Sequence, residues 1–405
     1  MAERINNIMR EPVVSAVDRL RETEKRHKAG KLDGACLLGI ILLLIVGLIA
    51  LFTASYADSW RSYGDSTHFI IRQGMFAVAG LVFMFVLSYV NYRFILYWHK
   101  PIFAVCALLL LVTPFIGTDN NTFATRWLRL PVIGTFQPSE LMKIAIILSF
   151  AVLAAKDVRE GDRLRKYRNL LRPYGWMLGL VAFLLYLEPH MSATLIILGT
   201  AVVMLYLAGM PVGIFLAGGA AGVVGFLAIW SEVIQLDQLS HVRERLVNWL
   251  DPFQDLLHGG WQAANSFIAI GSGGFWGLGL GQGRQKHGSL SEPANDFIFA
   301  VWSEEMGFIG AVLVILLFAF LIYRGFYIAM NARDKEGCLL AAGITAKLAI
   351  QVVVNLFVVT GLFPVTGAAL PFFSYGGTAL LLQLCEMGIL LNISRYMRAE
   401  ARESG

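Results

Sequence analysis

Several groups of side chains in this sequence have the types and spacing that chemistry requires, and the most informative closes a polar loop at Gly271–Ala300. Seven glycines fall within Gly271–Gly283, followed by Arg284, Lys286, His287, Glu292, Asn295 and Asp296, and then by the apolar run Phe297-Ile298-Phe299. A carboxylate at the mouth of a membrane span is expensive to desolvate, which makes Asp296 a functional candidate. Glu292 lies four residues before it, and Glu304 and Glu305 follow within the apolar run. Such carboxylates suit two tasks: activating an acceptor hydroxyl as a general base, or holding a divalent cation (Mg2+ or Mn2+) against a diphosphate. Asp296 equally suits N-capping of the helix that follows, and the two roles are compatible in one residue.

The segment Gln137-Pro-Ser-Glu-Leu-Met-Lys143 opens another apolar run. Ser139 can cap that helix and Glu140 suits its positive end. Glu140 and Lys143, at i and i+3, form either a structural ion pair or a pair that presents an ammonium to an anionic ligand. Arg126-Trp127 is a cation beside an amphipathic ring, which also describes an interfacial anchor. Glu188-Pro189-His190 breaks a helix in a tight turn and is either a proton relay or headgroup site, or a solvated turn. Arg243 and Arg245, in an amphipathic segment over 241–252, can grip phosphate or meet lipid headgroups. Lys347, Gln351 and Asn355 share one helical stripe, which should face the protein interior or a wet cavity. No register of the glycine run gives G-x-G-x-x-G and no Gly-Lys-Ser/Thr follows it, so no nucleotide cofactor is expected.

The elements that must position these residues are membrane helices. The 405 residues are 57% hydrophobic and only 15% charged, too apolar for a soluble chain of this length. Ten segments approach the roughly 20 apolar residues that a crossing needs: 34–55, 69–90, 98–117, 140–156, 174–188, 191–209, 212–231, 297–323, 339–361 and 375–393. The expected fold is an all-α polytopic membrane protein of about 10 transmembrane helices, with a large outer loop at about 232–296 between the seventh and eighth. Placing the N-terminus inside assigns 23 Lys and Arg to inner segments and 8 to outer ones, so both termini are expected in the cytoplasm. The net charge of +5 reflects this asymmetry and carries no nucleic-acid signature. The first apolar core lies behind 33 polar residues, too late for a secretory signal. The division is therefore a segment 1–33, one membrane domain 34–395 and a tail 396–405. The four cysteines lie in or beside spans with no zinc spacing, as packing residues would.

Seven motifs in order resemble one known family: Phe136-Gln-Pro-Ser-Glu140 with Lys143; Arg243-x-Arg245 before Asp251-Pro252; Gly259-Gly-Trp-Gln262 with Ser266; Ala269-Ile-Gly-Ser-Gly-Gly274; Asn295-Asp-Phe-Ile-Phe-Ala300 with Glu304-Glu305; Pro364-x-Thr-Gly367; and Ser374-Tyr-Gly-Gly377. Together they are similar to the SEDS family (shape, elongation, division and sporulation), which includes FtsW and RodA, over about residues 34–395. The resemblance implies a peptidoglycan glycosyltransferase that joins lipid II, a disaccharide-pentapeptide on undecaprenyl diphosphate, into glycan strands at the outer face of the bacterial cytoplasmic membrane. It implies a class B penicillin-binding protein as the crosslinking partner. The family's essential aspartate falls on Asp296, and its Arg-Trp, Ser-Glu-x-x-Lys and Ser-Tyr-Gly-Gly elements fall on Arg126, Glu140, Lys143, Ser374 and Tyr375. The chain departs from the family where a Gln-Pro-Asp turn becomes Glu188-Pro189-His190, and where Asn295 stands for Thr. The Glu-Pro-His turn and the Glu292-Pro-Ala-Asn-Asp296 loop lean toward the division or sporulation branch over the elongation branch. With Asp296 as base assisted by Glu292, the expected reaction is a metal-assisted, inverting glycosyl transfer, with Mg2+ or Mn2+ as the cation. A lipid II flippase and a non-catalytic scaffold for a transpeptidase are the alternatives.

Overall fold

The computed structural model describes residues 30–118, 126–130, 134–159, 171–188, 190, 191–215, 249–254, 260–290 and 292–397. Its helices are α1 (Gly34–Tyr63), α2 (His68–Tyr89), the short α3 (Tyr92–Tyr97), α4 (His99–Ile116), α5 (Pro138–Arg159), α6 (Trp176–Leu187), α7 (Met191–Leu207), α8 (Trp261–Gly273), α9 (Ile298–Met330), α10 (Lys335–Val359) and α11 (Gly377–Ser394). Six of these are long and apolar enough to cross a membrane: α1, α2, α4, α9, α10 and α11. Nine of the ten expected spans each fall on one helix, and the seventh, 212–231, lies largely outside the described residues. The outer loop expected over 232–296 contains a helix of its own, α8, which packs against α9 and α10.

The bundle is organised around α10, whose neighbours are α5, α7, α9 and α11. Helix α2 runs along α11, and α1 packs on α9. Large apolar side chains cover the outer faces, among them Phe85, Phe115, Phe183 and Leu316, as lipid-facing surfaces require. Asp33 caps α1 by accepting from Cys36 N (2.7 Å), and Asp334 caps α10 by accepting from Gly337 N (2.7 Å). All four cysteines are free.

Between α4 and α5 the chain forms a small hairpin, β1 (Leu128–Leu130) antiparallel to β2 (Gly134–Phe136), with Leu128 opposite Phe136. The hairpin leaves Arg126 and Gln137 at one end, next to the start of α5.

The glycine run has a structural task. It folds against a break in α9 at Gly307, where φ is 64°. Leu278 N and Gly279 N donate to the carbonyls of Glu304 and Glu305 (3.0 and 2.9 Å), and Phe308 N donates to Gly274 O (2.9 Å). A Cβ at Gly277 would sit 2.1 Å from Glu305 O, so only glycine permits this approach. The carboxylates of Glu304 and Glu305 turn back into the same loop. Glu304 Oε1 accepts from Arg284 N (2.8 Å), and Glu305 accepts from Gly281 N (3.0 Å) and Lys286 Nζ (2.5 Å). Although they follow Asp296 closely in sequence, these two glutamates turn away to brace the loop.

Candidate functional site

A cavity of about 320 Å³ opens among the hairpin, the start of α5, the turn before α7, the segment 292–296 and the entry to α11. Of the residues singled out from sequence, Arg126, Glu140, Lys143, Glu292, Asp296 and Tyr375 line it together. Arg243 and Arg245 lie outside the described residues. Ser374 is absent from the lining, and its Oγ donates to Asn295 O and accepts from Leu370 N (both 2.7 Å), which makes it part of the supporting wall.

Asp296 is half-buried at this wall. The N-cap position of α9 belongs to Phe297, and no side chain caps that helix, so Asp296 does not take the capping role its position suggested. Among the described residues no protein donor is hydrogen-bonded to its carboxylate. Burial pushes its carboxyl up to about 6, the nearby Glu292 carboxylate adds to the rise, and Arg126 opposes it. Glu292 is exposed at the cavity mouth, in the left-handed region at φ 54°, where its Oε2 accepts from Asn295 Nδ2 (2.5 Å).

Glu140 and Lys143 meet as their spacing predicts, with Lys143 Nζ 2.7 Å from Glu140 Oε1. Lys143 is buried and also reaches Gln351 Oε1 (3.5 Å). The polar stripe on α10 faces inward: Lys347 pairs with Glu386 (2.9 Å) and Gln383 (2.8 Å), Gln351 Nε2 donates to Ala369 O (3.0 Å), and Asn355 lies deeper in the wall.

Glu188 and His190 are buried rather than solvated. Arg126 Nε donates to Glu188 O (3.1 Å), so the turn anchors a cavity cation. The Glu188 carboxyl is fully buried, and neither of its oxygens has a hydrogen-bond partner among the described residues. Burial pushes that carboxyl up to about 8 against the pull of the Arg126 charge. His190 lines the cavity with Nδ1 3.1 Å from Ser139 Oγ. The Ser139 hydroxyl therefore meets an imidazole. Burial, reinforced by Arg126 and Lys143, pushes His190 down to about 3, so the ring is neutral near pH 7.

Arg72 and Gln137 are polar lining residues that the sequence reading gave no role of their own. Arg72, near the start of α2, adds a third cation to Arg126 and Lys143; a charge inside an apolar span was the signal that could have found it. Gln137, at the end of β2, faces His190 across 3.4 Å. The cavity thus sets a carboxylate with no donor among the described residues beside guanidinium and ammonium groups, an arrangement that can take a proton from a hydroxyl while compensating an anionic leaving group.

The sequence pattern of the FtsW, RodA and SpoVE family, described as cell cycle proteins, matches residues 34–399. The chain is 39% identical over 365 residues to stage V sporulation protein E of Bacillus subtilis (strain 168), covering 88% of this chain and 95% of that one. It is 37% identical over 372 residues to a probable peptidoglycan glycosyltransferase FtsW of Geobacter sp. (strain M18), covering 91% and 98%. Among solved structures, it is similar to a chain of a peptidoglycan synthase complex that coordinates polymerization and crosslinking, with a TM-score of 0.75, 27% identity and coverage of 91% and 99%. It is also similar to the rod shape determining protein RodA of Thermus thermophilus, with a TM-score of 0.64, 25% identity and coverage of 90% and 97%. The chain belongs to the FtsW, RodA and SpoVE family, the family its motifs resemble.

Proposed function

We propose that this protein is a peptidoglycan glycosyltransferase that polymerises lipid II into glycan strands, in division or sporulation. The observation that carries the reading is Asp296, whose carboxylate has no hydrogen-bond donor among the described residues and shares one cavity with Arg72, Arg126 and Lys143. Asp296 takes the proton of the acceptor sugar hydroxyl as that oxygen attacks the anomeric carbon of the donor. The new glycosidic bond forms with inversion while the bond to the undecaprenyl diphosphate breaks. A base whose pKa lies about 6 is ionised at neutral pH yet still accepts a proton. Glu292 supports it from the mouth. Arg72, Arg126 and Lys143 offset the charge of the leaving diphosphate, with Arg243 and Arg245 proposed for the same duty.

Among the described residues no three His, Cys, Asp or Glu side chains gather as a resident metal would require. A divalent cation is therefore proposed only as one that arrives with the diphosphate, and no step is drawn through it. The lipid tail stays in the bilayer. The proposed orientation keeps both termini in the cytoplasm, with about ten spans and the cavity on the outer face, which agrees with the excess of Lys and Arg on the inner segments. A class B penicillin-binding protein is the proposed partner, a reading supported by the likeness to a synthase complex that couples polymerization and crosslinking.

The test is purified protein in detergent, given lipid II and its partner transpeptidase. Glycan strands require chemistry there, since detergent removes the sidedness a flippase needs. An Asp296→Asn variant that folds and still polymerises at the normal rate overturns the assignment.

A further inference from the structure

Three successive main-chain carbonyls leading to the proposed base are each held by a donor from another part of the fold. Ala294 O accepts from Tyr375 N (2.8 Å), Asn295 O from Ser374 Oγ (2.7 Å), and Asp296 O from Asn355 Nδ2 (2.8 Å). The Asn355 amide is fully buried, and its second N–H donates to Ala368 O (2.7 Å). One side chain on α10 therefore ties the backbone of Asp296 to the loop between α10 and α11. That loop crowds the carboxylate from the other side, for a Cβ on Gly367 would lie 3.3 Å from Asp296 Oδ2, and Gly367 has φ 72°. The Asn355 Oδ1 is buried with no hydrogen-bond partner. An apolar residue of the same size would avoid that orphaned acceptor, so packing alone does not account for an amide here.

We propose that Asn355 is a positioning residue for Asp296, and that Ser374 acts with it. Both side chains hold main-chain carbonyls, and neither lines the cavity. The amide fixes where the carboxylate stands along the wall, and the Ser374 hydroxyl fixes the residue before it. The inference rests on the reading of Asp296 as the base. It also gives Ser374 a task different from the substrate contact its motif suggested.

The experiment compares kcat and KM for lipid II polymerisation in detergent, with the partner transpeptidase, for Asn355→Leu, Ser374→Ala and Asp296→Asn. Displacing a reacting group by about 1 Å can lower the rate ~100-fold, so Asn355→Leu is expected to lower kcat at least about tenfold with KM changed by less than about twofold. Ser374→Ala, which loses one tether of three, is expected to lower kcat by a smaller factor at the same KM. A merely structural role would reduce the amount of folded protein, followed by size exclusion, and leave kcat per folded molecule intact; that result overturns the inference. A raised KM at unchanged kcat in Ser374→Ala overturns it as well, because that is how a substrate contact behaves. Should Asn355→Leu not fold, Ser374→Ala decides. An active Asp296→Asn enzyme removes the underlying reading, whereas an inactive Asp296→Asn beside a fully active Asn355→Leu removes this inference alone.

Discussion

Lys286 Nζ lies 2.5 Å from Glu305 Oε1, and neither side chain has any exposed surface. The ammonium also donates to Thr53 O (3.0 Å) and stands 4.7 Å from the Tyr56 ring. The pair pins the glycine-rich loop to the broken start of α9 and to α1. The polar loop therefore divides in two, with Lys286, Glu304 and Glu305 bracing the backbone and Glu292 and Asp296 facing the cavity.

Removing one partner of a buried ion pair leaves the other charge uncompensated. Lys286→Met is expected to destabilise the protein by about 3–5 kcal/mol, read as a lower unfolding temperature in detergent. The double variant Lys286→Met/Glu305→Leu should recover much of that loss. A double variant as unstable as the sum of the singles would show that the two charges do not depend on one another.

Asp296 must be ionised to accept a proton. Its carboxyl is pushed up to about 6, so the rate should fall as pH drops through that value, approaching tenfold per unit below it. Asp296→Asn is expected to lose about 100- to 10,000-fold in turnover, the usual contribution of a general base. A polymerisation rate flat from pH 7 to pH 5 would contradict the assignment.

Glu188 supplies a stability test. Its carboxyl rises from 4.5 to about 8 on burial. Between those values the unfolded chain releases a proton that the folded chain retains, so stability falls as pH rises through the window. The Asp296 carboxyl and the His190 imidazole lie near 6 and 3 in the folded protein, against 3.8 and 6.5 for the free groups, so above pH 7.5 their contributions are nearly constant. Between pH 7.5 and 8.5 the unfolding temperature should therefore decline, and Glu188→Gln should flatten that decline. A slope unchanged by the substitution would place the titration elsewhere.

Local spacing made much of this arrangement legible. Glu140 and Lys143 at i and i+3 predicted an ion pair, and Lys347, Gln351 and Asn355 predicted an inward stripe, because helical periodicity alone decides which residues share a face. Properties that depend on distant packing were not readable. Glu304 was grouped with Asp296 by sequence, yet eight helical residues span about 12 Å, and the carboxylate bonds the glycine loop instead. Ser139 looked like a cap, but a buried His190 from another turn meets its hydroxyl. Arg72 counted only as an outer charge until the bundle brought α2 beside the entry to α11.

The Glu140–Lys143 pair allows two roles that one experiment separates. Lys143 either neutralises Glu140 or carries charge that the diphosphate of the substrate needs. Lys143→Met leaves a carboxylate facing the cavity, so lost activity in that variant fits both roles. Glu140→Gln/Lys143→Gln removes both charges, and each amide can hydrogen-bond the other across the 2.7 Å contact. If the lysine only balances the glutamate, the double variant regains activity. If it meets the diphosphate, the double variant stays impaired, with KM for lipid II raised at least about tenfold, or roughly 1.4 kcal/mol. The pair lines the same cavity as Arg126 and Asp296, which favours the second outcome.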